Sequence, residues 1–141
     1  MRGEQRNAYK GSPLRPWATI QLVGKKGRRF HLDLMVDTGS PCALIVSPDT
    51  LLGCQYRGAP PKGSNFGLLA GGWIRVVIGD LSLDAKVLAY ASDNVVAAAK
   101  ESHRDFSGLI GLPLLRMVEY GGNADWFWMR QTQISRTLRR S

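Results

Sequence analysis

With 141 residues, 15.5 kDa and 44% apolar content, the chain holds enough material for one hydrophobic core and excludes a two-lobed enzyme with two complete active-site halves. A formal charge of +8 points first to an anionic partner, yet residues 1–16 carry a net +3, 130–141 a net +4 and 17–129 only +1. Two cysteines, Cys42 and Cys54, exclude a four-cysteine metal site or a disulfide-stapled scaffold and read as free thiols. No apolar stretch follows the N-terminal positive residues and nowhere do eighteen apolar residues run together. Neither secretion nor a membrane span is supported, and the cytoplasm is the expected location.

In chain order, residues 1–16 are polar, carry Gly3, Gly11, Ser12 and Pro13, and read as a flexible basic extension. The domain is expected over 17–129. Ala18, Ile20 and Leu22 alternate with Thr19 and Gln21 as a half-buried strand; Gly24 to Gly27 is a turn; Phe30, Leu32, Leu34 and Val36 share one face of the next strand, which makes a hairpin with the first. After Asp37-Thr38-Gly39-Ser40 comes a short apolar strand, Ala43 to Val46, then a helix start with Ser47 as N-cap and Pro48 at its first position. The Gly- and Pro-rich stretch 53–72 shows no helical period. Ile74, Val76 and Ile78, a turn at Gly79-Asp80, and Leu81 to Ala89 predict a second, long hairpin. A short helix over Asp93 to Lys100, capped by Ser92 or Asp93, precedes a buried strand, Phe106 to Gly111. Pro113 opens a helix lined by Leu114, Leu115, Met117 and Val118 that Gly121-Gly122-Asn123 ends. Asp125 to Met129 is a last aromatic strand, and 130–141 is a basic tail. The chain is therefore mainly β with short helices, and it contains no internal repeat.

The informative segment is Asp37-Thr38-Gly39-Ser40, set between one apolar strand and the next. A bare Asp-Thr-Gly arises by chance in about one chain of this length in sixty, so the setting carries the weight. Downstream, Leu109-Ile110-Gly111-Leu112-Pro113 supplies an apolar pair, a glycine and a short helix. Hydrolysing an amide without a metal needs one group to take a proton from water and another to give one to the carbonyl oxygen or departing nitrogen. Two carboxylates within a few ångströms do both, because they cannot both ionise and so retain one proton. Gly39 gives the backbone room to turn, and the hydroxyls of Thr38 and Ser40 can fix the loop.

This order of motifs resembles the retropepsin-like aspartic proteases, single-domain relatives of the retroviral enzymes. The resemblance covers most of 17–129, with its sharp motifs at Leu34 to Ser40 and Gly108 to Leu115. It implies a retropepsin-like acid-protease single-domain fold working as a symmetric homodimer. Asp37 is then catalytic, and Thr38, Gly39 and Ser40 form its loop, with Ser40 a hydrogen-bond partner. Leu68, Leu69, Ala70, Gly71, Gly72 and Trp73 form the flap tip over a peptide or protein substrate, and Leu109, Ile110 and Gly111 pack beneath the loop. One chain holds one Asp-Thr-Gly, so the second carboxylate must come from another copy across a two-fold axis. The Asp125 to Met129 strand is a candidate interface element. Leu112 stands where viral members carry a polar or basic residue, so an inter-subunit salt bridge built there is absent. Substrates are expected to be extended peptides with apolar side chains, and neither a metal nor an organic cofactor is implied.

The same residues admit other readings. Asp37 could be an Asx-turn at a strand end, and the chain a catalytically inactive retropepsin-like binding or dimerisation module. Cys42 reads as a small buried hydrophobe rather than a redox switch, and His31 and His103 have no clustered partners. In Gly58 to Ser64, Lys62 precedes Gly63 and two prolines remove donors, which excludes a phosphate loop. Trp73, Trp126 and Trp128 read as core or interface, the basic ends as solvated, and nucleic acid is not an expected partner.

Overall fold

The computed structural model describes residues 3–132. It is mainly β, with a seven-stranded sheet, a three-stranded sheet and short helices. The strands are β1 (Glu4–Ala8), β2 (Trp17–Val23), β3 (Arg29–Val36), β4 (Leu44–Val46), β5 (Arg57–Ser64), β6 (Gly67–Ile78), β7 (Leu83–Ala91), β8 (Phe106–Ile110), β9 (Glu119–Gly122) and β10 (Trp126–Arg130). The helices are α1 (Pro48–Cys54), α2 (Asp93–Ser102) and the single turn α3 (Leu112–Leu115). No helix among the described residues is long and apolar enough to cross a membrane.

The large sheet runs β2-β3-β8-β4-β7-β6-β5, with β2 also pairing β6. Its two main hairpins follow the apolar alternation. Trp17 to Val23 pairs Met35 to Arg29, and Gly71 to Ile78 pairs Tyr90 to Leu83. Ala18, Ile20, Leu22, Leu34, Ile74, Val76 and Ile78 are buried on one side and form one core with Leu44, Val46, Ile110 and Leu115. Ser47 caps α1 by accepting from the Thr50 amide, and Ser92 caps α2 by accepting from Val95. Both cysteines are free and buried.

Three expectations are corrected, and the stretch without a helical period resolves into a strand. Residues 1–16 are not simply an extension: β1 pairs β10 along its whole length, from Glu4 opposite Arg130 to Ala8 opposite Trp126. Arg130, assigned to the basic tail, closes that strand; beyond Thr132 the tail lies outside the described residues. Residues 57–64 form a strand despite Pro60 and Pro61, because β5 is an edge strand whose pairing slips between Ala59 and Lys62, where missing donors cost little. The helix at Pro113 stops after one turn, and Gly121-Gly122 belongs to β9 instead of ending a helix. Those glycines are needed there: a Cβ on Gly121 would strike the Trp128 ring, and one on Gly122 the Tyr9 hydroxyl.

The small sheet runs β1-β10-β9, so both backbone edges of β10 are used within the chain. The aromatic strand expected as an interface element therefore has no edge left to pair with another copy. Its seam is held by Glu4, buried and bridged by Arg6 Nη2 at 3.1 Å and Arg130 Nε at 2.7 Å. The hydrogen bond from Arg130 holds the Glu4 carboxyl below its usual 4.5, with the charges of both arginines adding to the effect. A carboxyl lowered on folding stabilises the fold fully above about pH 4.5 and loses that contribution as pH falls through its folded value. Glu4→Gln is accordingly expected to flatten the acid limb of a stability-against-pH curve measured by urea unfolding. An unchanged limb would show that the pair contributes nothing.

Candidate active site

Asp37 sits where β3 runs out, in a loop that returns as β4. These consecutive strands are not neighbours. β8 lies between them, parallel to β3 (Val36 opposite Ile110) and antiparallel to β4 (Leu44 opposite Ile110). The loop thus arches over the end of β8 and is tied to it by the backbone. Asp37 N–H donates to Ile110 O at 2.8 Å, Gly111 N–H to Ala43 O at 3.0 Å and Leu112 N–H to Ser40 O at 3.1 Å. Leu109 and Ile110 are buried beneath it. Gly111 is required at the crossing, since a Cβ would overlap the Cys42 carbonyl oxygen.

Within the loop, Asp37 Oδ1 accepts from the Gly39 amide at 2.9 Å, and Ser40 N–H donates to Asp37 O at 3.1 Å. Asp37 is half-buried, Thr38 and Gly39 are exposed and Ser40 is buried. Ser40 does not bond the Asp37 carboxylate. Its hydroxyl pairs with the Cys42 backbone, donating to the carbonyl and accepting from the amide at 3.3 Å each. Its role is therefore to stiffen the loop. Asp37 borders a cleft of about 580 Å3 with Arg15, Met35, Thr38 and Tyr120. Among the described residues, Asp37 is the only carboxylate lining that cleft.

The β5–β6 hairpin turns at Asn65-Phe66, not at Leu68 to Trp73. Ser64 pairs Gly67, whose φ of +91° suits glycine, and Ser64 Oγ accepts from Phe66 N–H and donates to Gly67 O. The tip is apolar and exposed at Phe66 and Leu68. Leu69 is buried, Ala70 is exposed, Gly71 packs against the Tyr90 ring and Gly72 against Gln55. Trp73 lies further down β6, under the Arg57 guanidinium. The sequence drew attention to the glycines, and it is the pairing register that puts the turn three residues earlier.

Arg15, Tyr9 and Tyr120 at the Asp37 cleft were missed. Two lay in the presumed extension and one in a presumed helix end, and no motif marks them. Among the described residues, no three His, Cys, Asp or Glu side chains gather to hold a metal ion.

No protein-family model and no curated protein matches the chain. Among solved structures, EIAV protease complexed with an inhibitor is similar over 72% of this chain and 86% of its own, at 13% sequence identity and a TM-score of 0.44.

Proposed function

We propose that the chain is a retropepsin-like aspartic endopeptidase, active as a symmetric homodimer in which Asp37 and its symmetry mate share one proton and activate one water. The observation that carries the reading is the Asp37 loop itself. An Asp-Thr-Gly-Ser turn spans two strands with β8 between them, holds its carboxylate beside a cleft, and is clamped by three backbone bonds. In the dimer, the ionised carboxylate takes a proton from water as the water attacks the peptide carbonyl, and the protonated one gives its proton to the carbonyl oxygen. Collapse of the tetrahedral species then returns a proton to the departing nitrogen.

One carboxylate in the cleft is half of that machinery, so activity requires association. On this reading the two-fold axis lies beside exposed Thr38, with β9, an edge strand that borders the same cleft, available to pair across it. The test is cleavage of apolar peptides at mildly acid pH, followed on dilution together with sedimentation. Activity per chain should fall as dimers dissociate and should be blocked by an active-site-directed aspartic-protease inhibitor. Activity that persists in a sedimenting monomer overturns the shared-dyad reading. The engagement of both β10 edges within one chain favours a second reading, a non-catalytic binding module, which predicts no inhibitor-sensitive cleavage.

A further inference from the structure

The β5–β6 hairpin meets the loop after Asp37 through a charged contact that the proposed chemistry does not use. Lys62 Nζ lies 3.9 Å from Cys42 Sγ and 5.6 Å from the centre of the Tyr90 ring. The lysine is half-buried, and its ammonium has three donors to satisfy. A thiol is a weak acceptor and a ring face offers only a modest attraction, so these contacts give the charge no anionic partner within the described residues. Among the described residues no carboxylate lies within ion-pair distance of it. Asp33 is engaged by Lys10, Asp84 by Arg75, and Glu4 by Arg6 and Arg130.

These groups line a pocket of about 300 Å3 with Trp73 and Leu88 among its walls and Lys86 as a second cation. Among the described residues, no acidic side chain lines it. Lys86 is exposed, lies 5.5 Å from the Tyr56 ring and has no ion pair among the described residues. Apolar walls with cationic donors and no anion suit a side chain that has an aliphatic stem and a carboxylate end. The position matters as much as the composition, because one wall is the segment leaving the Asp37 loop and another is the hairpin.

We infer that this pocket is a specificity subsite for an acidic side chain of the peptide substrate, with Lys62 as the residue that reads the carboxylate. The inference rests on the peptidase reading and changes its substrate class, from apolar peptides to apolar peptides carrying one acidic residue at a fixed distance from the scissile bond.

The test uses full-length Asp37→Asn protein as a non-cutting trap and apolar peptides in which one Glu, or Gln as control, is moved along the sequence. Fluorescence anisotropy should reveal one position at which Glu binds about tenfold tighter than Gln, a preference that weakens as salt is added. Lys62→Met should abolish the preference, Lys62→Arg keep it, and Lys62→Glu transfer it to a Lys-bearing peptide. No preferred position, or a preference surviving Lys62→Met, overturns the subsite. Wild-type cleavage of the same peptides separates the two claims. Cleavage indifferent to Glu or Gln leaves a peptidase without this subsite. Charge-selective binding without cleavage keeps the subsite and overturns the peptidase. Neither binding nor cleavage overturns both.

Discussion

Asp37→Asn is expected to lower peptide cleavage by about three orders of magnitude or more while leaving the fold in place. The substitution is nearly isosteric, and the side-chain oxygen that accepts from the Gly39 amide is retained in Asn. Asp37 is half-buried in a surface cleft, and its loop is held by backbone bonds that the change does not touch, so stability should move by no more than about 0.5 kcal/mol. Lost activity with an unchanged unfolding midpoint would locate the effect in the chemistry. A mixing experiment adds a readout specific to the shared dyad. Excess variant chains should draw wild-type chains into mixed dimers with one carboxylate, and activity should fall beyond simple dilution. Undiminished cleavage by the variant would remove Asp37 from the mechanism.

Gly111→Ala is the second large effect, and it acts through the fold. The added Cβ would overlap the carbonyl oxygen of Cys42 and lie 2.9 Å from both the carbonyl and the hydroxyl oxygen of Ser40. Two of these atoms are backbone, so no rotamer change relieves the clash. Either the Asp37 loop lifts from β8 or β8 shifts in the sheet core, and both break the Gly111–Ala43 and Leu112–Ser40 bonds. Overpacking together with lost buried hydrogen bonds should cost about 3 kcal/mol or more in urea unfolding. Gly53→Ala is the control, because Gly53 is exposed on α1 with open space around its Cβ position, and alanine there should be neutral or stabilising by up to about 1 kcal/mol. A stable, active Gly111→Ala protein would mean that the loop does not rest on β8 as described.

The parts of this molecule that were legible in the sequence are those where burial is carried by apolar side chains. Ala18, Ile20 and Leu22 declare β2, and Ile74, Val76 and Ile78 declare half of β6, because alternate positions face one core. β1 was hidden since its buried position is Glu4, stabilised by arginines on β1 and β10, a pairing that no local pattern announces. β5 was hidden by Pro60 and Pro61, which an edge strand with a slipped register tolerates. β9 was hidden by two glycines that read as a helix stop, when their smallness serves Trp128 and Tyr9 arriving from distant strands. At the site, the Asp-Thr-Gly turn was visible as a motif. Its neighbours Arg15 and Tyr120 were not, because the sheet topology brings them to the cleft. Ser40 shows the same limit on a smaller scale, since the residue type allowed a bond to Asp37 and the turn geometry gave the hydroxyl to Cys42.

The insertion of β8 between β3 and β4 also sets when the Asp37 loop can be clamped. Val36 and Ile110 are neighbours in space but more than seventy residues apart in the chain, so their pairing closes a long loop and comes late. A growing chain that has passed Asp37 but not Phe106 has β3 and β4 with no strand between them, and none of the three bonds that clamp the turn. The turn's own bonds, from Gly39 and Ser40 back to Asp37, are local, but its clamp to β8 waits until residues 110–112 have been made.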